Sequence, residues 1–99
     1  MEGRRELDLD PAKAEANRQK HGVSFPLAAL VFDDPLHLSV PDPHPDGDRW
    51  RTIGLVGPVH LFVVHTGPED AAPGEPVGRI ISARRATAHE RRAYEAGTL

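Results

Sequence analysis

Apolar and polar residues alternate in the middle of the chain in a pattern that predicts β-strands. Leu36, Leu38 and Val40 alternate with His37 and Ser39, which is typical of a half-buried strand. Three further segments are rich in apolar and β-branched residues and are bounded by Gly and Pro. The four predicted strands cover residues 36–40, 50–56, 59–66 and 77–84. Most of their connections are short, so consecutive strands are expected to pair antiparallel.

Two helices are expected before these strands. Asp10 is a suitable N-cap, Pro11 occupies the first helical position, and Gly22 follows the last turn. A second helix is expected to begin at Ser24, which caps it. It should end before Pro35, because the residue that precedes a proline is disfavoured in the α conformation.

The segment after the last strand predicts a short C-terminal helix. Thr87 and Glu90 have the spacing of a capping box, and the helix is expected to continue through Tyr94. The order of elements predicts a single α+β domain over residues 1–99. It has two N-terminal helices, a four-stranded antiparallel sheet and a short C-terminal helix. We expect the helices to pack against one face of the sheet, which leaves the other face for function.

Composition narrows the classes of protein that fit. The 99 residues include no Cys, which excludes disulfides and thiolate metal sites. No apolar run is long enough to cross a bilayer, and the N-terminus has no apolar stretch typical of a secretory signal, so a cytoplasmic protein is expected. The net charge of −3 argues against a general nucleic-acid binder. Residues 49–99 nevertheless carry seven Arg against five acids, which permits a local cationic surface.

Lys20 and His21 form one candidate site, at the end of the first predicted helix. Imidazole exchanges protons near neutral pH, so His21 could act as a general base or acid. Lys20 could hold a phosphate or assist proton transfer. The alternative is that the two cations only complement the C-terminus of the helix.

Arg49 and Arg51 form a second candidate site, on the second predicted strand. They flank Trp50, so a period of two places both guanidiniums on one face of the sheet, where they could clamp a phosphate. Asp48 could orient Arg49 through a salt bridge or act as a base. The alternative is an exposed polar face opposite a buried Trp50.

Arg79, Arg84 and Arg85 provide further cations on the fourth predicted strand. Alternation puts Arg79 and Ala83 on one side of this strand and Ile80 and Arg84 on the other. We expect at least one of the three arginines to contact a phosphate. The alternative is that they solvate the end of the strand, with Glu90 or Glu95 as a partner.

The histidines do not predict a metal site. His60 and His65 are five residues apart on one predicted strand, so they point to opposite faces and cannot chelate one ion. The sequence has no glycine-rich phosphate loop, which disfavours nucleotide hydrolysis. We therefore expect no cofactor and no metal.

Several ordered blocks of this sequence resemble the BrnT family. Together they span residues 8–95, which is nearly the whole chain. In chain order the blocks are Asp10, Lys13, Asn17 and Lys20–Phe25; Val31–Pro35; Arg49, Trp50, Ile53 and Gly54; Val63–Thr66; and Arg79–Thr87 with Glu90, Arg91 and Tyr94. Two features depart from the family pattern. Asp48 stands where Glu is common, and the loop over residues 67–76 is longer and more acidic.

The resemblance implies a ribonuclease toxin of a type II toxin–antitoxin pair with a fold similar to RelE-type toxins. It also implies neutralisation by a BrnA-type antitoxin in a hetero-oligomer, with DNA bound only through the antitoxin. In metal-independent RNA cleavage the 2′-hydroxyl of the substrate attacks, so the protein supplies a base, an acid and cations. The residues expected to be catalytic are Lys20, His21, Arg49, Arg84 and Arg85, and those expected to bind RNA are Arg51, Arg79 and Asp48.

Two other functions remain open from the sequence. One is a catalytically silent module whose sheet and arginines only bind an antitoxin-like or DNA-binding partner. The other is a metal-dependent hydrolase, which would lose its activity in EDTA.

Overall fold

A computed structural model describes residues 11–43, 45, 47–67, 73 and 78–99 of the chain. The predicted cap Asp10, the predicted strand start Val77 and most of the loop over 67–76 lie outside these residues. In chain order the elements are α1 (Pro11–His21), α2 (Phe25–Ala28), the 3-10 helix η1 (Ala29–Asp33), β1 (Leu38–Pro41), β2 (Arg49–Val56), β3 (Val59–Thr66), β4 (Ile80–Arg85) and α3 (Ala88–Ala96). The four strands form one antiparallel sheet in the order β1-β2-β3-β4. The predicted α+β class and its antiparallel sheet are confirmed.

The helix ends follow the predicted chemistry, and one helix differs in type. Gly22 has a φ of 72°, the left-handed conformation that ends α1. The Ser24 hydroxyl accepts a hydrogen bond from the Leu27 amide at 3.2 Å, which caps α2. The second predicted helix is one α-turn that continues as the 3-10 helix η1 up to Asp33, because the tighter turn lets the chain leave the helix before Pro35.

One face of the sheet, which we call the helix face, packs against the N-terminal helices. Gly54 makes this close packing possible, since a Cβ atom there would lie 2.9 Å from both the Cβ and the carbonyl oxygen of Val31. The core on this side is formed by Val23, Phe25, Ala28, Val31, Leu61, Val63, Ile80 and Ala83.

The opposite face of the sheet is partly covered by α3. Tyr94 and Leu99 pack against the buried side chains of Ile53 and Phe62. The expectation that all helices lie against one face is therefore wrong, because apolar side chains on this second face also need cover.

A β-bulge in β4 changes which side chains share a face. Val64 pairs with Ser82 and His65 pairs with Ile80, so Ile81 is an extra residue between them. Strict alternation predicts opposite faces for Ile80 and Ala83, but both are fully buried on the helix face. That prediction is wrong because the bulge reverses the alternation between the two residues.

The side chain of Asn17 fastens α1 to the outer edge of β4. Its amide nitrogen donates to the carbonyl of Ala83 at 2.8 Å, and its amide oxygen accepts from the Ala83 amide at 3.0 Å. The same nitrogen also donates to the carbonyl of Val23 at 2.9 Å. Asn17 is buried, and its two hydrogen bonds to Ala83 replace those that a neighbouring strand would make.

No helix within the described parts of the chain has the length and apolar character needed to cross a membrane.

Candidate active site

Arg49 and Arg51 project from the same face of β2, as the sequence predicts. Arg49 lies opposite Thr66 and Arg51 lies opposite Val64 on β3. Both side chains are half-buried, and they point to the face that α3 only partly covers. Trp50 between them points to the helix face, where it lies opposite His65.

Arg79 joins these two arginines across the sheet. Its amide donates to the Thr66 hydroxyl at 2.6 Å, and its carbonyl accepts from the Thr66 amide at 2.8 Å. Since Ile80 next to it points to the helix face, the Arg79 side chain leaves from the opposite face. Arg49 and Arg79 therefore flank Thr66 from two sides, with their backbones about 10 Å apart by the usual spacing of strands.

Arg84 lies on the same face as these three residues but has strong partners already. Its two terminal nitrogens donate to the two carboxylate oxygens of Glu90 at 2.8 and 2.9 Å. Its guanidinium carbon lies 4.4 Å from the centre of the Phe62 ring. The hydrogen bonds to Glu90 raise the pKa of Arg84 and lower that of Glu90. The contacts of Arg84 thus connect β4 to α3.

We call this surface, made by Arg49, Arg51, Arg79 and Arg84, the arginine face. Besides Glu90, the carboxylate of Asp42 lies near this surface. The Asp42 carboxylate lies 3.8 Å from Nε of Arg51, and this buried Nε has no hydrogen-bond partner within the described part of the structure. The guanidinium of Arg51 is thus close to a negative charge without being bonded to it.

Asp48 contacts Trp50 from the loop before β2. Its carboxylate accepts a hydrogen bond from the indole nitrogen at 2.8 Å. Gly67 packs against the indole ring so closely that a Cβ atom there would lie 2.1 Å from that nitrogen. Asp48 therefore fixes the orientation of Trp50, and its predicted roles toward Arg49 stay predictions.

The other predicted catalytic residues lie elsewhere. Lys20 and His21 end α1, which packs against β4 and is held to its outer edge by Asn17. Arg85 is exposed and lies opposite Leu61, so its side chain leaves from the helix face. The structure thus places four of the predicted arginines on one face of the sheet and Arg85 on the other, while Lys20 and His21 belong to α1.

Sequence reasoning missed a buried chain of hydrogen bonds between β1, β2 and β3. Nδ1 of His65 lies 2.8 Å from the carbonyl of Thr66, and Nε2 lies 2.6 Å from the Thr52 hydroxyl, which lies 2.6 Å from the Ser39 hydroxyl. Only a proton on Nδ1 satisfies the carbonyl, so Nε2 accepts from Thr52. His65 shares its face with Leu61 and Val63 by alternation, and this was the signal that it is buried.

Burial determines the protonation state of His65. Loss of solvent lowers its pKa, and the nearby His37 lowers it further. The hydrogen bond to Thr66 and the charge of Asp48 oppose this shift without reversing it. His65 is therefore neutral at neutral pH and serves to hold the three strands together rather than to carry charge.

A second missed contact joins η1 to α3. The Tyr94 hydroxyl donates to the Asp34 carboxylate at 2.5 Å, and the amides of Leu36 and Leu55 also donate to it. Burial alone would raise the pKa of Asp34, but these hydrogen bonds outweigh it and lower that pKa. The same contact raises the pKa of Tyr94 to about 12. Asp34 therefore acts as a junction between three segments of the chain.

Among the described residues, no three His, Asp or Glu side chains are placed so that they could hold a metal ion.

Comparison with known proteins adds one match. A family model described as "Ribonuclease toxin, BrnT, of type II toxin-antitoxin system" matches residues 9–90. A search of curated proteins found no match to this sequence.

Proposed function

The chain belongs to the BrnT family of ribonuclease toxins from type II toxin–antitoxin systems, and on that premise we propose that it cleaves RNA without a metal ion. The observation that supports this proposal most directly is the arginine face, where Arg49, Arg51 and Arg79 leave the same face of the sheet. Guanidiniums bind phosphate oxygens through paired hydrogen bonds, and three of them can follow an RNA backbone.

The proposed reaction needs no nucleophile from the protein. The 2′-oxygen of the ribose attacks phosphorus, the bond to the 5′-oxygen breaks, and a 2′,3′-cyclic phosphate forms. A base takes the 2′-hydroxyl proton and an acid protonates the leaving 5′-oxygen. Arg49 and Arg51 would stabilise the extra negative charge on the phosphorus centre as it develops.

Proton transfer by Lys20 and His21 stays a prediction. Both residues end α1, whereas Arg49 begins β2. Asp48 as the base also stays a prediction, although it lies directly before Arg49 in the chain. Substitution of each residue can therefore separate a group that acts in catalysis from one that shapes the fold.

The test is an RNA cleavage assay in EDTA. We expect the parent chain to cleave single-stranded RNA, and Arg49→Ala to lose about 100-fold in rate, as the loss of a donor to a developing oxyanion does. Arg18→Ala is the matched control, because Arg18 is an exposed arginine of α1 that lies away from the arginine face. Activity that EDTA abolishes would contradict the proposal and favour a metal-dependent hydrolase.

The dependence of RNA affinity on salt provides a second test. Each phosphate contact releases counterions, so affinity should fall as the salt concentration rises. Arg51→Ala should weaken RNA binding. It should also reduce the slope of log affinity against log salt concentration by the equivalent of about one phosphate contact. An affinity that does not change with salt would contradict binding through arginines.

Membership of a type II toxin–antitoxin family implies an antitoxin protein as partner. We propose that this partner is a BrnA-type antitoxin, that the two proteins form a hetero-oligomer, and that DNA binds only through the antitoxin. We further propose that the protein acts in the cytoplasm, where its RNA substrate would be. Co-expression with a BrnA-type protein, followed by purification and the same cleavage assay, should give a complex with no activity.

One observation favours a second candidate function, a module that only binds a protein partner. Glu90 binds both terminal nitrogens of Arg84, and Lys20 and His21 belong to α1 rather than to the strands that carry the arginine face. The arginine face therefore contains several cations but, among the described residues, no clear candidate for the general base. No cleavage by the parent chain, together with tight binding to the antitoxin, would support this alternative.

A further inference from the structure

The guanidinium of Arg84 is held in one orientation by contacts on several sides. Phe62 lies beneath it, with the guanidinium carbon 4.4 Å from the ring centre. The two carboxylate oxygens of Glu90 bind its two terminal nitrogens at 2.8 and 2.9 Å. One of these nitrogens also donates to the carbonyl of Arg85 at 3.2 Å. A paired guanidinium–carboxylate contact fixes the plane as well as the position of the group.

One side of Arg84 nevertheless remains open to solvent. The Arg84 side chain is 36% exposed, although its partner Glu90 is only 16% exposed and Phe62 only 7% exposed. The Phe62 ring lies on one side of the guanidinium and the Glu90 carboxylate lies at its edge. Neither of these partners covers the outer face of this planar cation, and the side chain as a whole is partly exposed.

This outer face belongs to the same surface as the proposed phosphate ligands. Ser82 precedes Arg84 on that side of β4 and pairs with Val64, which in turn pairs with Arg51. The spacing of residues and strands places the backbones of Arg84 and Arg51 about 12 Å apart. One bound RNA strand can therefore reach both residues, with a phosphate at Arg51 and a base near Arg84.

We propose that the outer face of the Arg84 guanidinium stacks on a nucleobase of the bound RNA. The inference rests on the proposed function, because it requires RNA on the arginine face. Glu90 and the Arg85 carbonyl take three of the five N–H donors of the guanidinium, and stacking leaves these hydrogen bonds intact. Arg planes and aromatic rings are common platforms for unpaired RNA bases, and they tolerate any base because each has a flat face.

The experiment compares Arg84→Lys with the parent chain on two kinds of oligonucleotide. The first kind is a short single-stranded 2′-O-methyl oligonucleotide, which has no attacking hydroxyl. The second kind is a matching set of oligonucleotides in each of which one position lacks its base. Lys keeps the positive charge and can still pair with Glu90, but it has no plane to stack on a base. We expect Arg84→Lys to lose about tenfold in affinity for the intact probe. It should lose almost nothing for the probe that lacks the stacked base.

Arg18→Lys is the matched control. Arg18 makes a similar two-point contact with a glutamate, Glu15, but it lies exposed on α1, away from the arginine face. This variant should bind both kinds of probe as the parent chain does. If Arg84→Lys does not fold, Glu90→Gln replaces it. Gln retains the capping-box chemistry but loses the paired contact that fixes Arg84, so the part of the affinity that depends on a base should fall.

The outcomes separate this inference from the proposed function. A parent chain that neither binds nor cleaves RNA overturns both. A parent chain that binds RNA, with an Arg84→Lys penalty equal on intact and abasic probes, overturns the stacking inference and leaves the proposed function standing. A penalty that disappears at one abasic position supports the inference and identifies the stacked nucleotide.

Discussion

At the scale of single residues, Asn17 shows how one side chain can replace a row of backbone contacts. Its amide makes three hydrogen bonds with the backbone, two to Ala83 and one to Val23. The sequence predicts a helix around this position but does not predict this contact, because the residue pattern of α1 does not show which strand packs beside it. The role of Asn17 depends on its hydrogen bonds to Ala83 of β4, which lies 66 positions away in the sequence.

Substitution of Asn17 should be among the more costly changes in this chain. Asn17→Ala leaves buried backbone groups of Ala83 without partners, so we expect the free energy of unfolding to fall by about 2–3 kcal/mol. Asn17→Asp should cost at least as much, because a carboxylate cannot donate to either carbonyl. Urea denaturation measures both values. Gln19→Ala, at an exposed position of the same helix, should change stability by less than about 0.5 kcal/mol.

Tyr94 offers a direct test of the contact with Asp34, because it is the only Tyr in the chain. Its hydroxyl donates to a carboxylate, so its ionisation should occur near pH 12 rather than at the usual value of about 10. The folded-state pKa is the higher one, so the stability that this contact contributes is present below pH ~10 and is lost as the pH rises toward 12. An ultraviolet absorbance titration measures the midpoint directly.

Two variants decide whether Asp34 causes this shift. Asp34→Asn should return the midpoint of Tyr94 toward its usual value, because the negative charge next to the hydroxyl is gone. Asp33→Asn removes an exposed carboxylate one residue earlier and should leave the midpoint unchanged. A parent chain that titrates at the usual value would show that the contact does not form in solution.

At the scale of elements, the distance between η1 and β2 depends on one glycine. Gly54→Ala would put a methyl group 2.9 Å from Val31, and much of that contact is with backbone that cannot rotate away. We expect η1 to move away from β2, which should lower the free energy of unfolding by about 1–3 kcal/mol. Thermal or urea denaturation measures this change. Unchanged stability would mean that η1 packs more loosely against the sheet than the structure shows.

The elements also show what a local pattern can and cannot predict. The bounds of β3 are those expected from its run of apolar residues, and the capping box at Thr87 is present as expected. The bulge at Ile81 was not predictable, because an extra residue in one strand depends on its pairing partner. The position of α3 was missed for a similar reason, since its own sequence does not reveal which face of the sheet needs cover.

At the scale of the whole molecule, the buried His65 should make stability depend on pH. Burial lowers its folded-state pKa below the unfolded value of about 6.5, so the unfolded chain binds more protons below that pH. The free energy of unfolding should therefore fall as the pH drops below ~6.5, by at most ~1.36 kcal/mol per pH unit from this group. Above pH ~6.5 its contribution should be constant.

Urea denaturation at a series of pH values between neutral and mildly acidic measures this slope. His65→Gln removes the titrating group and should flatten the curve, even if it lowers stability overall. His89→Gln, at an exposed position of α3, is the control and should leave the slope as it is. A slope that persists in His65→Gln would assign the pH dependence to other groups.

The candidate site was predictable from the sequence only within a single strand. Alternation correctly placed Arg49 and Arg51 on one face, because their relation depends on β2 alone. Whether Lys20 and His21 reach that face depends on how α1 packs against the sheet, and the structure holds α1 at the outer edge of β4. The Glu90 partner of Arg84 was named as an alternative, because the two residues are only six positions apart in the sequence.

The Asn17 contact also limits how copies of this protein can assemble. Growth of a continuous sheet from molecule to molecule needs two open strand edges on each copy, one to receive and one to offer. Among the described strands, β1 and β4 lie at the two edges of the sheet; Asn17 and α1 occupy the outer edge of β4 at Ala83, and β1 is short and ends at Pro41. A copy that added a strand to β4 would have to break the hydrogen bonds between Asn17 and Ala83, so the Asn17 contact opposes fibre growth at this edge.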